Sequence, residues 1–143
     1  MKIKIISVGK TKNKHIKLLC ADYKDRIKHY TKFEEVVIKS GVNQTENDKI
    51  AAHINNNAGL NYVLSEDGEN FNSKDFAKLL SNANNQISFI IGGPEGIDER
   101  TKANCDKVIA LALMTFTHEM AHLFLLEQIY RGFTITLNKK YHK

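Results

Sequence analysis

The chain has 143 residues, 42% of them hydrophobic and 26% charged, the balance of one water-borne domain around a single core. No run approaches the roughly 20 apolar residues that cross a bilayer, and the start alternates Lys with Ile where a signal peptide carries an unbroken apolar segment, so the expectation is a cytoplasmic protein with no membrane partner. The formal charge is +5, but residues 1–40 hold eleven Lys and Arg against four Asp and Glu while the remainder holds ten against twelve, a positive end that suits either a phosphate backbone or a merely solvated Lys-rich face.

Residues 2–8 (KIKIISV) alternate and then run apolar, which predicts a strand ended by Gly9. From about 13 to 30, Ile16, Leu19, Cys20, Tyr23, Ile27 and Tyr30 recur at helical spacing. Residues 33–38 read as a second strand and 40–46 as a polar loop. Thr45 or Asn47 then caps a helix running to about 56. A short strand over 62–65 closes on the turn-like Glu66-Asp67-Gly68, and Ser73 caps a helix through Leu80. Residues 87–91 (ISFII) are continuously apolar, as in a strand covered on both faces. Residues 92–96 (GGPEG) form a loop, since neither helix nor strand accommodates that composition. Asp98 opens a short helix, 107–113 is another strand, 114–117 a connector, and Thr117 caps a long helix to about Arg131. Residues 133–137 alternate weakly before a Lys-Lys-Tyr-His-Lys end. Strands alternating with helices predict an α/β domain over 1–143 with a mostly parallel sheet flanked by helices. Cys20 and Cys105 stand in no metal-ligand spacing and read as free thiols.

In the helix after Thr117, Met120, Ala121, Leu123, Phe124, Leu125, Leu126, Ile129 and Tyr130 cover most of the circumference, and only an edge with His118, Glu119 and His122 stays polar. A core this small leaves part of that surface over, which predicts burial against a second copy of the chain.

Ligands of an open parallel sheet bind beyond the carboxyl ends of its strands. Three connectors leave such ends: 64–68, the glycine-rich 92–96, whose backbone can approach a ligand closely, and 111–116, which sets backbone groups beside apolar side chains. The glycine segment is no phosphate loop, because no Gly-Lys-Ser/Thr follows and Pro94 removes a donor. His118-Glu119-Met120-Ala121-His122 matches H-E-x-x-H, which sets two imidazoles on one helical face as in zinc hydrolases. The extended form fails, since Leu125 and Gln128 occupy its next two places. A zinc metallohydrolase is therefore the alternative reading.

The run Ile90-Ile91-Gly92-Gly93-Pro94-Glu95-Gly96, then Met114-Thr115-Phe116 and His118, then Leu125-Leu126-Glu127-Gln128-Ile129-Tyr130-Arg131, and the closing Tyr141-His142-Lys143 together resemble a bacterial family of SPOUT-class methyltransferases. The opening strand with Ser7-Val8-Gly9-Lys10 is similar to the family's own. These enzymes methylate N3 of a pseudouridine in helix 69 of 23S ribosomal RNA, in the large subunit or the assembled ribosome. The resemblance implies a SPOUT-type fold with a C-terminal trefoil knot and a homodimer whose partner helps to build the site. It implies S-adenosylmethionine as methyl donor, with no metal, contacted by Leu64, Gly92, Leu111, Ala112, Leu113, Met114, Thr115 and Phe116. For catalysis the candidate proton acceptor is His142, because imidazole trades protons near neutral pH, with Tyr141 stacking on or hydrogen-bonding to the base, and Arg131 either orienting the substrate or pairing with Glu127 one helical turn away. Lys143 would hold a phosphate. Relatives carry a Ser-rich stretch where Leu111-Ala112-Leu113 stands, Pro in place of Thr117, and Arg in place of His122.

Overall fold

The computed structural model describes residues 1–143. Five strands, β1 (Lys2–Val8), β2 (Lys32–Ile38), β3 (Leu60–Asn70), β4 (Gln86–Ile91) and β5 (Lys107–Ala110), make one sheet in the order β2-β1-β4-β3-β5. Every pairing is parallel. Strands that carry helices on both faces need apolar residues at odd and even positions alike, and β1 and β4 have them. Ile3, Ile5, Ile87, Phe89 and Ile91 enter one core, under α1 (Lys14–Lys28), α3 (Ser73–Ser81) and α5 (His118–Thr136). Ile6, Val8 and Ile90 enter the other, with Ile50 and Ile54 of α2 (Asn43–Asn56) and Ile97, which leads into α4 (Glu99–Ala103). Both cysteines are free, and burial raises both thiols, Cys105 to about 11.

Asp98 and Thr117 open their helices with side-chain caps as the sequence expects, and Asn13 caps α1 as well. Elsewhere boundaries move, each for a tertiary reason. α3 is capped by Asn72, whose Oδ1 accepts the Asp75 N–H at 2.8 Å, leaving Ser73 Oγ to donate to Gln128. α2 begins inside the expected polar loop with no side-chain cap at Val42. Its first turns are held instead by the buried Glu46, which accepts the Gly41 N–H at 2.9 Å, and by Asn47, which accepts the Asp98 N–H at 3.0 Å. β5 stops at Ala110, short of the expected 113.

Glu66-Asp67-Gly68 is not the expected turn but a bulge within β3: Leu64 and Glu69 both pair with Ile109, and residues 65–68 arch out between them. The weakly alternating 133–137 is the last turn of α5. Gly132 lets that turn approach α3, where a Cβ would meet Leu80 Cδ1 at 2.7 Å. Thr134 and Thr136 return their hydroxyls to the backbone of Arg131 and Gly132, which offsets their poor helix propensity.

α5 is also covered differently from the sequence expectation. Leu123, Leu125, Leu126 and Ile129 are buried within the single chain, in the core roofed by α1 and α3, so this helix does not by itself demand a second copy. His122 is not on a polar edge. It is 7% exposed, with Nε2 2.9 Å from Glu35 Oε1 on β2, an ion-pair distance not aligned as a hydrogen bond. Lys24 of α1 pairs with the same carboxylate. Burial works to raise the pKa of Glu35, but its His122 and Lys24 partners outweigh it and hold the carboxyl below its ordinary value. A lowered carboxylate pKa stabilises the fold above the ordinary value and loses that contribution as pH falls through the lowered one. Glu35→Gln is expected to destabilise the protein by about 1–2 kcal/mol at pH 7. Urea curves of parent and variant should converge on acidification below about pH 4; a gap that persists there would rule out this ionic origin.

Candidate functional site

β4, β3 and β5 are neighbours in the sheet, so the bulge of β3 meets the connectors leaving the carboxyl ends of β4 and β5. They enclose a cleft of about 830 Å³. Leu64, Ser65 and Glu66 come from the first, residues 91–97 from the second, and Leu111, Ala112, Met114, Thr115 and Phe116 from the third. Of the eight residues expected at the cofactor, seven line this cleft. Leu113 does not, and it is 85% exposed.

The first two glycines of the middle connector are there for lack of space. A Cβ on Gly92 would meet Ile97 Cγ1 at 2.7 Å and the Gly96 carbonyl carbon at 3.0 Å. One on Gly93 would meet Glu46 Oε1 at 2.7 Å, so α2 braces the loop from behind. Asn43 Nδ2 adds a hydrogen bond to Gly96 O at 3.2 Å. Gly96 itself adopts φ +77°, a left-handed conformation favouring glycine. The loop is thus held open with its backbone facing the cleft.

The other walls hold residues with no mark in the sequence. Ile16 and Asn13 arrive from α1 and its cap, Lys102 from α4. Lys102 Nζ sits 3.3 Å from both Asp67 and Glu99, tying α4 to the β3 bulge. Thr115 Oγ1 donates to Glu66, joining the first and third connectors. Glu119 Oε1 accepts the N–H groups of Lys12 and Asn13 at 3.2 and 3.1 Å, which pins the start of α1 to the first turn of α5.

That leaves the zinc-like motif without its chemistry. His118 borders the cleft, His122 faces Glu35 on β2, and Glu119 holds backbone; no three His, Cys, Asp or Glu side chains converge as a metal site.

The catalytic candidates form a separate cluster. Arg131 Nε donates to Glu127 Oε1 at 3.0 Å and Nη1 lies 3.2 Å from His142 Nδ1. Tyr141 donates to Glu127 Oε1 at 3.0 Å, receives the Tyr23 hydroxyl at 3.1 Å, and packs edge-on against Tyr130 at 4.7 Å. The tail is therefore docked. Burial, and then the bonds to Tyr23 and Glu127, raise the Tyr141 pKa, so its phenol stays neutral and serves as donor. The Glu127 hydrogen bond raises that of Arg131 and keeps it charged. An arginine only donates, so His142 Nδ1 is the acceptor in this contact. Along α5, Arg131 stands about 20 Å from His118 at 1.5 Å per residue, so the structure does not bring the tail into the cleft of its own chain. Lys143 is exposed.

The family model described as "Predicted SPOUT methyltransferase" matches residues 1–142. The chain is 42% identical over 147 residues to ribosomal RNA large subunit methyltransferase H of Coprothermobacter proteolyticus, covering all of both chains. Among solved structures it resembles the tRNA (m1G37) methyltransferase of Aquifex aeolicus, at TM-score 0.57 and 18% identity over 92% of this chain and 70% of that one. It also resembles a methyltransferase of Legionella pneumophila with its bound cofactor SAM, at TM-score 0.55 and 9% identity over 90% and 65%. At such identities these two speak for the fold.

Proposed function

The chain belongs to the SPOUT methyltransferases, to the family of ribosomal RNA large subunit methyltransferase H, and from that premise we propose that it transfers the methyl group of S-adenosylmethionine to N3 of a pseudouridine in 23S ribosomal RNA. The observation that carries the proposal is the meeting of the β3 bulge and two connectors around one cleft in which Gly92 has no room for a side chain. The residues present fit the donor. Leu64, Leu111 and Phe116 give apolar walls for an adenine ring, and the backbone of Gly92, Ala112, Met114 and Thr115 offers its edge hydrogen-bonding groups. Bound there, S-adenosylmethionine would supply an electrophilic methyl group for the ring nitrogen. The protein's tasks are to align the base with that methyl group and to accept the proton leaving N3. Isothermal titration with S-adenosylmethionine, followed by methylation of ribosomes lacking the mark, tests this; absence of cofactor binding would end it.

We propose further that the active unit is a homodimer, with the family's C-terminal trefoil knot in each subunit. Support comes from apolar surface on the connector after β5, where Leu113 and Met114 are 85% and 76% exposed. A second copy covering them would also bring a partner's tail toward the cleft that its own tail does not enter. His142 is the proposed proton acceptor, Arg131 and Tyr141 orient the base, and Lys143 takes a phosphate.

The lysines of the β1–α1 connector and of the start of α1 suit the RNA backbone. Lys10, Lys12, Lys14 and Lys17 are exposed and take part in no ion pair, whereas Lys2, Lys4, Lys24 and Lys28 are all paired. They follow the carboxyl end of β1, on the edge of the sheet where the cleft lies. Replacing all four by Ala is expected to leave cofactor affinity unchanged and to make the plot of log binding constant for RNA against log salt shallower by about 3, at roughly 0.7–0.9 per charge lost. An unchanged slope would place the RNA on another face.

A further inference from the structure

Beside the cofactor cleft lies a smaller cavity of about 430 Å³, and the two share Leu111 and Phe116 as walls. Phe71, Phe76 and Phe124 complete an aromatic lining, with Phe124 edge-on to Phe116 at 5.0 Å. On its polar side stands Gln128. The Gln128 carbonyl accepts Ser73 Oγ at 2.8 Å, and its amide donates to Glu127 Oε2 at 2.7 Å. A primary amide carries two N–H donors and two acceptor lone pairs, so one of each is left over, held in orientation by two bonds. The same Glu127 holds Tyr141 and Arg131, so this cavity touches the cofactor walls on one side and the tail cluster on the other.

We infer that this cavity receives the acceptor base, a single-ring pyrimidine imide, and that Gln128 donates its free N–H to a ring carbonyl of that base. The inference rests on the methyltransferase reading above. Four phenylalanines offer flat apolar faces against which a base can stack, and the volume lies near the lower end of small-ligand pockets, as one nucleoside requires. When the nitrogen between two carbonyls gives up its proton, negative charge spreads onto both oxygens. A donor already aimed at one of them stabilises that anion more than the neutral ring, the condition for accelerating the reaction. Reading the oxygen also leaves the nitrogen unbonded and free to face the methyl donor where the two cavities adjoin, along their shared Leu111 and Phe116. Gln128 is thus a specificity-determining contact as well as a support for the charge that develops.

The test uses the full chain, isotopically labelled and saturated with S-adenosylhomocysteine. Titration with uridine should shift the amide signals of Phe71, Ser73, Phe124 and the Gln128 side chain, and titration with adenosine should not. In Gln128→Leu the uridine shifts should vanish while S-adenosylhomocysteine still binds. On ribosomes lacking the mark, Gln128→Leu should lose at least about tenfold in kcat/KM. Gln128→Glu, which keeps the acceptor for Ser73 and lacks the donor, should lose as much. The inference is overturned if uridine shifts only residues 92–96 or none, if a side chain of a second copy fills the cavity, or if Gln128→Leu turns over like the parent. Failure to bind S-adenosylhomocysteine would instead remove the methyltransferase reading, and this inference with it.

Discussion

Gly68→Ala is expected to unfold at a far lower denaturant concentration than the parent, at a cost of about 3 kcal/mol, and to bind S-adenosylmethionine more weakly. Gly68 sits at the end of the β3 bulge, directly against β5. A Cβ there would meet Ile109 C at 2.7 Å, Ile109 N at 2.8 Å and Val108 C at 2.8 Å. All three are backbone atoms of a paired strand, which cannot turn aside as a side-chain tip can, so β3 and β5 must separate. Leu64, Ser65 and Glu66 lie just before the bulge's end and Leu111 just after β5, so the same displacement opens the cofactor cleft. Gly41→Ala is the control, since a Cβ there meets nothing within 4 Å. Urea denaturation and cofactor titration of the two variants decide the matter; if Gly68→Ala matches Gly41→Ala in both, the close approach does not exist in solution.

The second large effect concerns the tail. His142→Ala should retain cofactor affinity and lose about a hundredfold in single-turnover methyl transfer, the lower end of what a positioned proton acceptor contributes. The contact seen here constrains how that works. With Nδ1 accepting from Arg131 at 3.2 Å, the hydrogen of a neutral imidazole is on Nε2, and neither nitrogen is free to take a proton. His142 must therefore leave Arg131 before it acts, which a tail moving toward a partner's cleft would accomplish. Equal single-turnover rates for variant and parent would remove His142 from the mechanism. Tyr141 is no substitute, because burial together with its Tyr23 and Glu127 bonds keeps its phenol protonated.

The legible parts of the chain were those decided by neighbours in sequence. Apolar residues at both odd and even places in 2–8 and 87–91 specify strands covered on two faces, and β1 and β4 occupy the middle of the sheet. Asp98 and Thr117 cap helices by bonding N–H groups three residues on. Glycines crowded at 92–96 announce a loop, and motif likeness reached seven residues of the cleft.

What the sequence determined by itself is the alternation of elements and, through it, the parallel α/β class, because periodicity and capping act over a few residues. Only the tertiary structure decided the rest. Glu66-Asp67-Gly68 has the composition of a turn, yet it is a bulge because β5, some forty residues on, pairs with β3 on both sides of it. His122 has the spacing of a metal ligand, yet Glu35 on β2 claims it. Ile16 and Lys102 reach the cleft, and Gln128 the cavity beside it, from helices whose periodicity says nothing of which strand end they overhang. Such choices depend on contacts between distant segments, whose energies exist only once the chain has closed around them.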